Sequence, residues 1–172
     1  MEKQQWWTNP LVSVIWTVAR IWLGIQWIEG AWHKFADGFD ASGFLQGAIA
    51  KASGEAPVVQ GWYGAFLEHF AMPNVEIFNI VIPLGELLVG LGLILGAATI
   101  PALIAGAFMN LNFLLAGTIS TNPTLFAVAV ILLFAGAGTY YYGVDRFAIP
   151  MVKTYFQNRH NRGNKTKKVA TV

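Results

Sequence analysis

The chain has 172 residues, of which 55% are hydrophobic and only 12% charged, with a mean hydropathy of +0.51; this excludes a disordered chain and argues against a water-soluble domain, where about a quarter of residues are charged. The formal charge is +2, but seven of the eleven Lys and Arg lie at or after Arg146, a basic tail on an apolar body that points to membrane topology before nucleic acid. With no cysteine, disulfides, Cys-ligated zinc, iron–sulfur clusters and thiol relays within the chain are all excluded.

Four apolar stretches, at 11–32, 75–97, 101–118 and 123–143, come close to the roughly 20 residues a helix needs to cross a bilayer. Pro10, Pro101 and Pro123 sit at or near helix starts, where a missing N–H costs nothing, whereas Pro83 lies inside the second stretch and is expected to kink it. The first stretch could also be read as a signal peptide, but its apolar run is too long and no A-x-A site follows. Stretches two, three and four are joined by very short connections, which forces antiparallel neighbours. The predicted fold is therefore all-α: an integral membrane four-helix bundle, up-down-up-down, occupying 1–150.

The segment 34–73 is predicted to lie outside the membrane with short interfacial helices, because Trp62, Tyr63, Phe66, Leu67 and Phe70 recur at helical spacing. The residues 151–172 read as a basic cytoplasmic tail without periodicity, lying against anionic membrane lipid and taking no nucleic acid. The excess of Lys and Arg after Arg146 predicts a multi-pass protein of the cell membrane with both termini cytoplasmic.

Ionisable groups inside a span are costly and are read as paired or functional. Arg20 and Glu86 fall at similar expected depths on antiparallel helices, so a buried Arg20–Glu86 ion pair is predicted, either structural or serving binding and proton handling. Trp22, Gln26, Glu29 and His33 share one face of the first helix, and Glu29 and His33, four apart, are close enough to hydrogen-bond, giving a proton acceptor beside a carboxylate. Lys34 is placed at the rim, where it either snorkels or attracts an anion. Asn110 and Asn112 point to opposite sides, so at most one faces the interior. Gly92 and Gly96 predict close helix packing. Tyr140, Tyr141, Tyr142 and most of the tryptophans read as interfacial aromatic belts.

The sequence carries no Ser-His-Asp set, P-loop or HExxH motif, and His33, His69 and His160 give no credible haem pair. Haem, flavin and metal are not expected.

Arg20-Ile21-Trp22-Leu23-Gly24 followed by Glu29-Gly30-Ala31-Trp32-His33-Lys34-Phe35, Gly85-Glu86-Leu87 running into Gly90-Leu91-Gly92, and Gly136-Ala137-Gly138 with Asp145 nearby together resemble the DoxX/DoxD family of small membrane proteins. Trp62-Tyr63 and Pro73-Asn74 in the long loop look closer to the DoxD branch, the large subunit of thiosulfate:quinone oxidoreductase. The resemblance implies a four-helix membrane oxidoreductase subunit passing electrons from thiosulfate or a related small reductant to a quinone, with a second redox subunit and a homo-oligomer as further partners. On that reading Glu29, His33 and Glu86 are catalytic, and Arg20, Trp22, Gln26, Lys34 and Asn110 hold the quinone. The alternatives are a non-enzymatic scaffold or assembly partner of a redox-stress complex and, more weakly, a small-solute transporter.

Overall fold

The computed structural model describes residues 6–53 and 55–169, and among them all regular structure is helical, with no strand. A short turn at Trp6–Thr8 leads into α1 (Pro10–Asp37), begun by Pro10 and capped by the Asn9 carboxamide oxygen, which accepts from the Leu11 N–H at 3.0 Å. Next come α2 (Ser42–Ala50), α3 (Gly61–Phe66), α4 (Val75–Leu95), α5 (Thr99–Leu115), α6 (Asn122–Ala135) and α7 (Asp145–Val169). α1 and the run Gly61–Leu95 are long and apolar enough to cross a membrane, while Thr99–Leu115 and Asn122–Gly138 are shorter apolar helices.

Helix α1 packs on α4, α4 on α5, α5 on α6, and α6 returns to α1, closing a ring of four. The ring's core is a continuous set of apolar side chains, Leu23 and Trp27 from α1, Val89 and Leu93 from α4, Leu103 from α5 and Leu132 from α6. The α1–α4 seam is closed by glycine: a Cβ added at Gly24 would stand 2.8 Å from Ile94 Cγ1 and 3.0 Å from the Gly90 carbonyl, and one at Gly90 would meet Ile28 at 2.7 Å. Gly24 and Gly90 thus let the two backbones approach. The predicted Gly92/Gly96 pair has other duties: Gly92 faces Ala102 of α5, and Gly96, at φ 65°, ends α4 in the left-handed conformation.

Several boundaries differ from the sequence reading. Helix α1 continues five residues beyond 32, because Lys34 repeats the buried spacing of Gly24, Trp27 and Ala31. The aromatic helix at Gly61–Phe66 is no separate interfacial piece; it continues through a π turn at Leu67–Ala71 and a 3-10 turn at Met72–Asn74 directly into α4. Helix α6 stops at Ala135, short of the expected 143, where Gly136 takes φ 51°. The chain from Asp145 to Val169 is helical where an unstructured tail is expected from 151.

The segment 38–74 covers one end of the ring through a second apolar cluster that includes Leu45, Val59, Tyr63 and Leu67. Polar ties hold it as well: Ala41 N–H donates to Asn79 Oδ1 at 2.7 Å, Asn79 Nδ2 donates to Asp40 Oδ1 at 3.4 Å, Tyr63 Oη donates to the Asn112 carbonyl and side chain at 3.1 and 3.0 Å, and Lys51 Nζ donates to the Gly117 carbonyl at 3.2 Å.

Candidate functional site

Beneath this cover, at the end of the ring where α1 finishes, lies a pocket of about 310 Å³. Gln26, Trp27, Gly30 and Lys34 of α1 form one wall, Ile82 and Glu86 of α4 a second, Asn110 and Phe113 of α5 a third, and Phe39 and Phe44 of the cover the roof. Thr118, Ser120, Thr121, Asn122 and Leu125 complete it and lead to the exposed Ser120 and Thr121.

The pocket's charge is a Lys34–Glu86 ion pair. Lys34 Nζ lies 2.9 and 2.8 Å from the two carboxylate oxygens and 3.4 Å from the Gly30 carbonyl, using its three donors on two acceptor groups. The Glu86 side chain is 4% exposed and that of Lys34 23%, so the pair sits at the pocket wall. Gly30 makes room for it: an added Cβ would approach Glu86 Oε2 at 3.4 Å. The Phe39 ring lies 5.5 Å from the ammonium, adding a cation–π contact.

Two residues of the lining carry buried polar groups with hydrogen-bonding capacity in hand. Asn110 is fully buried and neither its amide nitrogen nor its oxygen has a protein partner; the indole N–H of Trp27, 4% exposed, has none either and lies over Gly106 of α5. Buried polar side chains are paired in the large majority of cases, and leaving one unmade costs about 1–3 kcal/mol. An orphaned amide beside an apolar slot is what a ligand with carbonyl or hydroxyl oxygens would satisfy.

The predicted site residues divide into three groups. Glu86, Lys34, Gln26 and Asn110 come together around the pocket. Trp22, Glu29 and His33 lie on the exposed side of α1 and do not line it. The expected Glu29–His33 hydrogen bond is replaced: Glu29 accepts from Gln26 Nε2 at 3.4 Å, and His33 Nδ1 stands 3.8 Å from Asp37, one turn further on. Of the two asparagines, Asn110 faces the interior, while Asn112 bonds Tyr63 and the Phe108 carbonyl.

Arg20 is at the other end of the ring, and the predicted Arg20–Glu86 pair is not formed. Antiparallel packing sets Glu86 against Gly30 and Arg20 against Gly96, ten residues apart along each helix, or about 15 Å. The longer α1 and the earlier start of the helical run before α4 shift both midpoints. Arg20, 1% exposed, donates through Nη2 to the Tyr142 carbonyl at 3.0 Å, and the carboxylate acting on it electrostatically is that of Asp145. Around it the chain 142–145 docks on the α4–α5 turn: Asp145 N–H donates to the Gly96 carbonyl at 2.8 Å, and the Asp145 carboxylate accepts from the N–H groups of Ala98 and Thr99 at 2.8 and 2.6 Å. Asp145 therefore caps α5 from a distant part of the chain. It also holds Ala98 in the left-handed region at φ 49°.

Trp27 belongs to the pocket although sequence reading places it among belt tryptophans. Its position between Gly24 and Ala31 on the buried face of α1 is the signal that identifies it. Phe39 and Phe44 carry no such signal, since they reach the pocket only through the fold of the cover. No protein-family model matches the sequence, and no curated protein or solved structure matches it either.

Proposed function

We propose that this chain is a DoxX/DoxD-like subunit of the cell membrane that binds a quinone in the pocket between Lys34, Glu86, Trp27 and Asn110, and serves its reduction by thiosulfate or a related small reductant. The observation that carries the reading is the combination of an aromatic slot with a buried, unpartnered amide beside an ion pair. The four apolar helices of the ring are read as a membrane bundle, with both termini cytoplasmic and the pocket toward the outer leaflet.

A quinone ring carries two carbonyl oxygens on a flat apolar body, and its reduction to the quinol consumes two electrons and two protons. The chain's part is to bind, orient and deliver protons. Trp27, Phe44 and Phe113 supply the apolar walls, and Asn110 Nδ2 is the free donor for a carbonyl oxygen. Lys34 brings protons to the wall, and Glu86 fixes its position. Glu29, on the exposed side of α1, accepts from Gln26 of the pocket wall, a link through which protons can pass inward. Electrons come from the reductant, directly or through a second redox subunit, since the chain offers no thiol of its own.

Purified protein in vesicles should reduce an added quinone analogue when thiosulfate is supplied, and E86Q should lose most of that turnover while N110L loses quinone affinity. Unchanged turnover and affinity in both variants would remove the pocket from the reaction. A second reading, a non-enzymatic scaffold or assembly partner, draws on the exposed Trp22, Glu29 and His33 along one flank of α1. It predicts stoichiometric recovery of a partner protein without bound quinone, lost on substituting that flank.

A further inference from the structure

Helix α7 leaves the ring with an uncovered apolar face. Residues 150–159 are all exposed, and Phe147, Met151 and Tyr155 recur every fourth residue at 69%, 71% and 64% exposure. At 100° per residue these three fall within about 80° of one another, with Val144 and Ala148 beside them and Val152 extending the surface on one side. Arg146, Lys153 and Gln157 fall within about 40° of one another on the far side, while Phe156, 60% exposed, continues the apolar surface past Val152. The helix is thus two-faced where its flanking sequence is strongly cationic: from Arg146 onward there are seven Lys and Arg and no Asp or Glu.

We propose that α7 lies in the plane of the membrane on the side of the α4–α5 turn, its Phe147–Met151–Tyr155 stripe sunk among acyl chains and its basic residues bound to anionic lipid headgroups. The proposal rests on the membrane reading given above. The start of α7 is fixed where such a helix must begin, since Asp145 is bonded to the turn that ends α4. Tyr141 and Tyr142 stand beside that point, and the Arg146 guanidinium lies 4.4 Å from the Tyr141 ring centre, an arrangement suited to the headgroup level. A charge of this density has its complement in an anionic bilayer surface, and an amphipathic helix with this face binds there through apolar burial plus electrostatic attraction. A self-associating helix would instead bring seven like charges on each copy together.

The absence of native cysteine makes the test clean. M151C and Q157C, each in the full chain and carrying an environment-sensitive fluorophore, are reconstituted in phosphatidylcholine vesicles with and without phosphatidylglycerol. A blue shift, and quenching by brominated acyl chains, is expected for the label at 151 and not at 157, strongest with phosphatidylglycerol. Neutralising two charges, with K153Q and R159Q, reduces the response to anionic lipid by roughly tenfold or more. Two water-exposed labels in anionic vesicles, in protein that survives alkaline extraction, overturn the assignment of α7 alone. Label-to-label contact between copies at position 151 overturns it in favour of self-association. Release of the whole protein by alkaline extraction overturns the membrane reading on which the proposal stands.

Discussion

A double-mutant cycle separates the two possible partners of Glu86. In K34M the buried Glu86 carboxylate loses both of its short contacts, at 2.9 and 2.8 Å, and in E86Q the ammonium keeps only a neutral acceptor. Breaking a buried ion pair by removing one partner costs about 3–5 kcal/mol; because Lys34 remains 23% exposed, solvent screening brings the coupling expected for this pair below that range, to about 2 kcal/mol. The double variant K34M/E86Q should therefore be markedly more stable than the sum of the single losses implies. Arg20 provides the internal control: it is about 15 Å away along the helices, so R20M and E86Q should add to within about 0.5 kcal/mol. Reversible unfolding of the four proteins of each cycle, in one detergent at one pH, supplies the numbers. Coupling between Arg20 and Glu86 with none between Lys34 and Glu86 would refute the register of α1 on α4 on which the pocket depends.

Other outcomes follow from local geometry. G24V should lose about 2 kcal/mol of stability, because a side chain there collides with Ile94 and the Gly90 carbonyl at the closest crossing of the ring. A98G should gain roughly 1 kcal/mol in thermal unfolding, since Ala98 sits at φ 49° in a conformation glycine adopts freely. N110L should make the ligand-free protein more stable by about 1 kcal/mol, by removing a buried amide with no partner, while weakening quinone binding. The Ser42 hydroxyl and N–H hold the Asp40 carboxyl below its usual range, at 2.6 and 2.9 Å. With the folded-state pKa depressed, this cap at the start of α2 is in full effect above the ordinary carboxylate range. It is lost as pH falls through the lowered value, and amide exchange at Ser42 measures that loss.

The sequence made most of the helices legible and misplaced the ion pair, for one physical reason. Apolar runs locate a helix well, but its ends depend on polar residues that fit either state, and Lys34 is such a residue. Ending the first helix at 32 leaves Lys34 at the rim and Arg20 near mid-span, so Arg20 becomes the apparent partner of Glu86. Extending the face of Gly24, Trp27 and Ala31 by one step brings Lys34 into the pocket and moves Arg20 to the other end. The face of Trp22, Glu29 and His33 looked equally good by spacing, because periodicity groups residues into faces without saying which face is buried. Asn110 was recognisable as a buried polar group in an apolar helix. Its lack of a partner depends on what α1, α4 and α6 bring near it, which no local pattern contains. Asp145 was visible only as a charge near the end of the fourth span, and its work as a distant cap for α5 comes from the docking of 142–145 on the α4–α5 turn.

The most direct test of the account is where a quinone binds. A photoreactive quinone analogue, activated on the reconstituted protein and traced by peptide mass spectrometry, should mark residues 26–44 and 110–125, with the label displaced by unmodified quinone and lost in N110L. Displaceable labelling confined to the exposed flank of α1 near Trp22, or no displaceable labelling at all, would contradict the assignment of the Lys34–Glu86 pocket as the quinone site.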